Sequence, residues 1–203
     1  MGSMEFSRRV MGSIAAMFND HQNYDFVVKV EDKEFKILKM IVGWQSEVFQ
    51  RMFVVDMREK FENQLVISNF SAEVVEQMLR FCYTGSIDKT SSELVMKVYE
   101  IAHLYQMTIL MNTCKMYFEQ NLNVQKIFSY LVWSYIFGDS TIKDMFINYA
   151  VKNIVEVQKS DQYSDFFYAS PSIIFDLFNK VAIQTTNHAN SYSYQNNYKR
   201  FRR

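Results

Sequence analysis

Residues 35–59 read FKILKMIVGWQSEVFQRMFVVDMRE: a short apolar strand runs into an amphipathic helix and out through a charged loop. Met40, Ile41, Trp44, Val48, Phe49, Met52 and Phe53 recur at helical spacing, and Gln45, Ser46, Glu47, Gln50 and Arg51 fill the other face. The pattern predicts one continuous helix that supplies part of a core. Val54 and Val55 prolong the apolar face before Asp56 and Arg58 break it, leaving Met57 and Glu59 two apart in the loop. The helix belongs to the core, and the loop after it is placed to grip a partner.

Upstream, Tyr24–Val30 has the β-branched and aromatic content of a strand, Glu31-Asp32-Lys33 reads as a hairpin turn, and Glu34–Leu38 returns as a second strand. Downstream, Gln64–Ser68 is a third. Further upstream, Val10, Met11, Ile14, Ala15 and Phe18 form a helical stripe. A short terminal helix is marginal alone, so this one lies either on its own core or on a second copy of the chain.

After the third strand the reading is helical. Ser71 is an N-cap with Glu73 and Glu76 near the positive end, Val74, Val75, Met78, Leu79 and Cys82 face inward, and Gly85 stands where a helix-ending glycine belongs. Ser91 or Ser92 caps the next helix, with the stripe Leu94, Val98, Ile101, Ala102 and Tyr105, and Thr108 opens another with Leu110, Cys114, Tyr117 and Phe118 inside. Three strands beside these helices make an α+β domain ending near Leu122. Two further stripes follow, divided by Gly138-Asp139-Ser140, and Ser170-Pro171 opens a helix carrying Ile173, Ile174, Leu177, Phe178 and Val181. Beyond Gln184 the composition turns to Asn, Ser and Tyr and ends KRFRR, which predicts a disordered, solvated tail over 184–203.

Composition narrows the function. With 49% hydrophobic residues the 203-residue chain can bury a full core. Lys+Arg and Asp+Glu both number 22, so no net field exists to hold a polyphosphate, which argues against nucleic acid. Cys82 and Cys114 are too few for a disulfide scaffold or a zinc site and read as buried thiols. His21, His103 and His188 have no partner at metal-ligand spacing, and Gly12 and Gly43 are isolated, so no metal, cofactor or phosphate-cradling loop is expected. Pairing Cys114 with His103 for catalysis would be an accident of folding, and the chain is not read as an enzyme. No apolar run is long enough to span a membrane, and no secretory segment is present. The expectation is an intracellular protein, of nucleus or cytoplasm.

The strand–strand–helix order and the spacing Asp25 … Phe35 … Ser46-x-x-Phe49-x-x-Met52-Phe53 … Tyr83-Thr84-Gly85 resemble the BTB/POZ domain over residues 6–122. Within that family the chain is most similar to the speckle-type POZ, MATH-BTB branch, though without a MATH domain. Residues 123–183 more loosely resemble the 3-box and a partial BACK region, an all-helical extension, on helix order and Phe146-Ile147-Asn148-Tyr149. Two positions depart from the family: Leu38 stands where a histidine is common, and Gln45 where a basic residue often pairs with the aspartate matching Asp25. That second departure argues against the zinc-finger repressor branch and its corepressor groove.

The resemblance implies a substrate adaptor of a cullin-3 RING ubiquitin ligase, a dimer that bridges the cullin and a protein substrate of unknown identity. In the family a hydrophobic–x–Glu motif in the loop after this helix contacts the cullin, and Met57-Arg58-Glu59 stands at the matching place. Met57, Glu59 and Phe53 are thus the expected cullin contacts: a thioether fills an irregular apolar recess, and a carboxylate accepts hydrogen bonds at the rim. Val10, Met11, Ile14 and Phe18 are the expected dimer interface. No MATH, kelch or zinc-finger pattern is there to choose a substrate, which leaves a fragment, the helical tail or a dimer partner to do so. Two rivals share the fold: a transcriptional or cytoskeletal dimerisation scaffold that recruits no ligase, and a competitor that occupies cullin-3 without delivering substrate.

Overall fold

The structure, a computed structural model, describes residues 2–20, 22–55, 61–88 and 91–183. The chain divides between Gln120 and Asn121 into two compact units.

The first unit is built around three short strands, β1 (Phe26–Val30), β2 (Lys33–Ile37) and β3 (Gln64–Val66), in the order β2-β1-β3. β1 pairs antiparallel with β2, with Val28 opposite Phe35, and parallel with β3, with Val28 opposite Leu65. Alternation in β1 sends Phe26, Val28 and Val30 into the core. Asn63, just before β3, holds a positive φ of 49°, and its carbonyl accepts the Val27 N–H. The chain thereby enters the sheet alongside β1.

Helix α1 (Ser3–Met17) precedes the sheet, and α2 (Lys39–Gln45) with α3 (Glu47–Val54) follow β2. The expected single helix is in fact two. Ser46 sits between them in extended backbone, φ −142° and ψ 117°, and its hydroxyl oxygen accepts the Phe49 N–H at 3.1 Å as the N-cap of α3. The interruption rotates α2 relative to the expected stripe. Val42 and Phe49 are buried, whereas Met40 and Trp44 stand 70% and 83% exposed. These two, read from periodicity as core, are surface residues.

Helices α4 (Ala72–Thr84), α5 (Ser92–Leu104) and α6 (Thr108–Asn121) complete the unit. Gly85 ends α4 at φ +68°, a conformation that favours glycine, and its N–H bonds the Phe81 carbonyl at 2.8 Å. Ser71 occupies the N-cap position of α4 without a side-chain bond. Glu31, from the β1–β2 turn, instead accepts the Ala72 N–H at 3.1 Å and ties sheet to helix. Ser91 caps α5 through Leu94. The core joins Phe26, Val28, Ile37, Val75, Met78, Leu79, Val95, Ile101, Leu110 and Phe118, all nearly inaccessible.

The second unit contains α7 (Val124–Phe137), α8 (Ser140–Lys152), α9 (Ile154–Gln158), α10 (Tyr163–Ala169) and a helix, α11, over 171–183. Asn123 caps α7 through Lys126, Gly138 ends it at φ +84°, and Asp139 caps α8 through the Thr141 and Ile142 amides. Its core gathers Ile127, Leu131, Ile142, Phe146, Ala150, Val157, Ile173 and Leu177. Tyr130 stacks on Phe146 at 4.9 Å. Asp176 of α11 accepts the Tyr135 hydroxyl at 2.5 Å and lies 3.7 Å from the Lys143 ammonium. Phe178 is 54% exposed and lines an apolar cleft with Ile174 and Leu177. The residues of the expected tail, 184–203, lie outside the described ones.

Candidate protein-docking site

The expected site begins at Phe53, on the last turn of α3. Its ring meets Phe26 edge-on at 4.9 Å and Phe49 at 5.7 Å, and it is half-buried. Phe53 therefore does two things: one edge belongs to the core, and the other lines an open depression with Met40, Gly43, Trp44, Gln50 and Val54. Gly43 faces the Phe53 ring across the α2–α3 contact, with room for an ordinary side-chain carbon. A Cβ there would sit 3.5 Å from the Phe53 ring. Met57 and Glu59 lie outside the described residues. The chain runs toward them through Val54 and Val55, 71% and 47% exposed, and leaves them along Phe61, 71% exposed.

A second depression adjoins the first across Trp44. Its walls are Gln45, Glu47 and Gln50 on one side and Gln106, Thr108 and Ile109 on the other, with Ser46 in its floor. The turn that carries Gln106 joins α5 to α6 and places Gln106 at φ +52° without a glycine. Trp44 thus forms a ridge between an apolar hollow and a more polar one, and Ile109, 63% exposed, faces it across the second. Exposed apolar side chains grouped in this way make a candidate interaction surface, and a tryptophan is among the side chains best suited to anchor one.

The base of the surface is firmly held. The start of α2 has no side-chain cap of its own, and Asp25, just before β1, accepts the Lys39 N–H at 2.7 Å. The Lys39 ammonium reaches Asn63 at 2.5 Å and lies 5.5 Å from the Phe26 ring centre. Tyr83 accepts the Leu38 N–H at 2.8 Å, so the position where the family often has histidine is fixed through its backbone. Tyr105 stacks on Phe49 at 4.6 Å with the rings 13° from parallel, and burial pushes its phenol up to about 12.

The expected dimer residues divide. Val10 and Met11 are 40% and 53% exposed, as are Met4 and Phe6 beyond them at 86% and 65%. Ile14 and Phe18 are half-buried, and Phe18 packs on this chain's own Tyr83 at 5.3 Å with the Arg80 guanidinium 5.3 Å over its ring. One end of α1 is seated on α4, and the other presents apolar side chains outward.

Nothing in the described residues gathers three or more His, Cys, Asp or Glu into a metal cluster, and no helix among them is long and apolar enough to cross a membrane. Burial pushes the Cys82 and Cys114 thiols up to about 12, far from a reactive thiolate. Sequence reasoning singled out Phe53, read Trp44 as core and did not single out Ile109. The available signal was Ser46-Glu47, an N-cap serine followed by an acid in the first turn, which marks a second helix start and turns Trp44 outward.

A three-stranded sheet joined to a helical bundle, with an apolar ridge at a helix break, defines a protein-interaction module. The BTB/POZ domain family is matched over residues 14–122, more than half of the chain, and the chain belongs to it. Kelch-like protein 6 of Homo sapiens is 25% identical over 141 residues, 70% of this chain and 22% of that protein. Protein maternal effect lethal 26 of Caenorhabditis elegans is 21% identical over 176 residues, 86% of this chain and 45% of that protein. Kelch-like protein 24 of Rattus norvegicus is 30% identical over 115 residues, 55% of this chain and 19% of that protein. The chain thus spans less than half the length of each. The BTB domain of zebrafish PATZ1 shares the fold at a TM-score of 0.50 and 19% identity, over 60% of this chain and 98% of that one.

Proposed function

We propose that this chain is a substrate-adaptor subunit of a cullin-3 RING ubiquitin ligase, acting inside the cell as a dimer that brings a protein substrate to the ligase. The observation that carries the reading is the apolar surface running from Trp44 and Met40 over Phe53 to Val54 and Val55, immediately before Met57-Arg58-Glu59. Met57 enters a recess on the cullin, Glu59 accepts hydrogen bonds at its edge, and the Phe53–Trp44 surface supplies the apolar area that two side chains cannot. The exposed end of α1, through Val10 and Met11 with Ile14 and Phe18 at its base, pairs two copies, and two copies double the valency toward substrates with paired recognition segments.

Binding of the full chain to the isolated cullin-3 N-terminal domain tests this directly. The expected result is association at micromolar protein or below, weakened at least tenfold by Glu59→Lys, equivalent to about 1.4 kcal/mol or more. Absence of binding by the wild type ends the ligase reading and leaves a dimerisation scaffold. Binding without ubiquitylation of captured proteins in cells points to a competitor that occupies the cullin.

A further inference from the structure

Ser46, Gln77, Ser92 and Ser134 are the buried polar side chains among the described residues. The Ser134 hydroxyl turns back to Leu131 in its own helix, and the Gln77 amide reaches Asp88, eleven residues away. Ser46 differs. At 1% exposure its hydroxyl accepts the Phe49 N–H at 3.1 Å and donates to the Tyr105 carbonyl at 2.5 Å, 59 residues further along the chain. One hydroxyl therefore serves as the N-cap of α3 and as the tie between the α2–α3 break and the α5–α6 turn. The stacked rings of Phe49 and Tyr105 close the same joint beside it.

We infer that Ser46 is a positioning residue for the docking surface: its two hydrogen bonds set the spacing between the wall carrying Trp44 and Glu47 and the wall carrying Gln106 and Ile109. The inference rests on the reading that this surface meets a partner, and it adds how the surface is held open. A hydroxyl can do this because it donates and accepts at once, a capacity that alanine lacks and threonine keeps. Without it the joint rests on the Phe49–Tyr105 stack alone, and the two walls are less tightly coupled. The partner then has to order them on binding, and affinity falls by the fraction of molecules in which both are in place.

Amide hydrogen exchange on the full chain, read residue by residue, separates this from a plain loss of stability. In Ser46→Ala, exchange at Phe49 and at Gln106 and Met107 in the opposite turn is expected to rise together, about tenfold, and Ser46→Thr restores both. Acceleration confined to Phe49 overturns the inference. Should Ser46→Ala fail to fold, Ser46→Gly, which removes both side-chain bonds and is better tolerated than alanine at a helix N-cap, serves in its place. Binding to the cullin-3 N-terminal domain is the second arm. Ser46→Ala is expected to bind about tenfold more weakly, while Val30→Ala, a buried strand residue away from the surface, loses stability and keeps its affinity. Equal losses in the two variants, or none in Ser46→Ala, overturn the inference. If the wild type itself does not bind, the ligase reading falls, and the exchange arm alone decides whether Ser46 couples the walls.

Discussion

Cys82 and Cys114 show what burial does to a single titratable group. Both lie in helix cores, at 7% and 0% exposure, and desolvation disfavours the thiolate, moving each from an ordinary value of 9.0 to about 12. Tyr105 moves the same way, from 10.0 to about 12. The folded chain thus keeps these protons to a higher pH than the unfolded chain does. It binds more protons than the unfolded chain between pH 9 and 12, so stability falls with rising pH across that window and is insensitive to these groups below it. Urea unfolding at pH 8, 9, 10 and 11 is expected to show a flat region and then a decline that is shallower in Cys82→Ser/Cys114→Ala. A decline of unchanged slope in the double variant would assign it to tyrosines alone. The inward-facing cysteines were legible in the sequence because both sit on helical stripes with Met78, Leu79, Leu110 and Phe118. Ser46 was not, because a serine among Gln45, Glu47 and Gln50 looks solvated until Tyr105 is known to lie against it.

Elements were easier to read than their breaks. The strands, the α4 to α6 succession and the glycine at the end of α4 all follow from local pattern, since β-branched runs, caps and helical periodicity act over a few residues. The division of α2 from α3 reads poorly because an apolar stripe with a 3.6-residue period passes through a one-residue interruption almost unchanged. The parallel pairing of β3 with β1 depends on residues more than 30 apart, and no local pattern encodes it. Helix α1 holds both kinds of information. Its stripe predicts a face that must be covered, and the structure shows that Phe18 is covered by Tyr83 and Arg80 while Val10 and Met11 face outward. Two substitutions are expected to separate these roles. Phe18→Ala removes ring contacts with the core and costs about 1–3 kcal/mol, seen as a lower Tm, with mass unchanged at high protein concentration. Val10→Asp removes no core contact within the chain itself and halves the mass by light scattering, so its fall in Tm is limited to what the lost pairing of copies contributed and shrinks as the wild type is diluted. If Val10→Asp and Met11→Asp both keep the mass of the wild type, α1 is not the contact between copies.

At the scale of the whole molecule, the two units each bury their own apolar set. Strands β1 to β3 and helices α1 to α6 close around Phe26, Val75, Met78, Ile101 and Phe118, and α7 to α11 close around Leu131, Ile142, Phe146 and Leu177. A unit of about 120 residues that pairs its own strands and covers its own sheet has the size of an ordinary independent domain. A fragment ending at Leu122 is therefore expected to fold alone. Its urea denaturation is expected to be a single cooperative transition with a slope of about 1–3 kcal/mol/M, coincident by far-UV circular dichroism and by tyrosine and Trp44 fluorescence. Tyr83, Tyr99 and Tyr105 carry the tyrosine signal from the core, while Trp44, 83% exposed and the one tryptophan before the cut, reports the surface. The chain's α+β half would then carry its own stability, and the helical half would be free to vary without unfolding the docking surface. Non-coincident probes, or helicity without a cooperative transition, would show that the first unit does not fold on its own. The fragment would then have to be extended before any binding measured on it could be ascribed to the first unit.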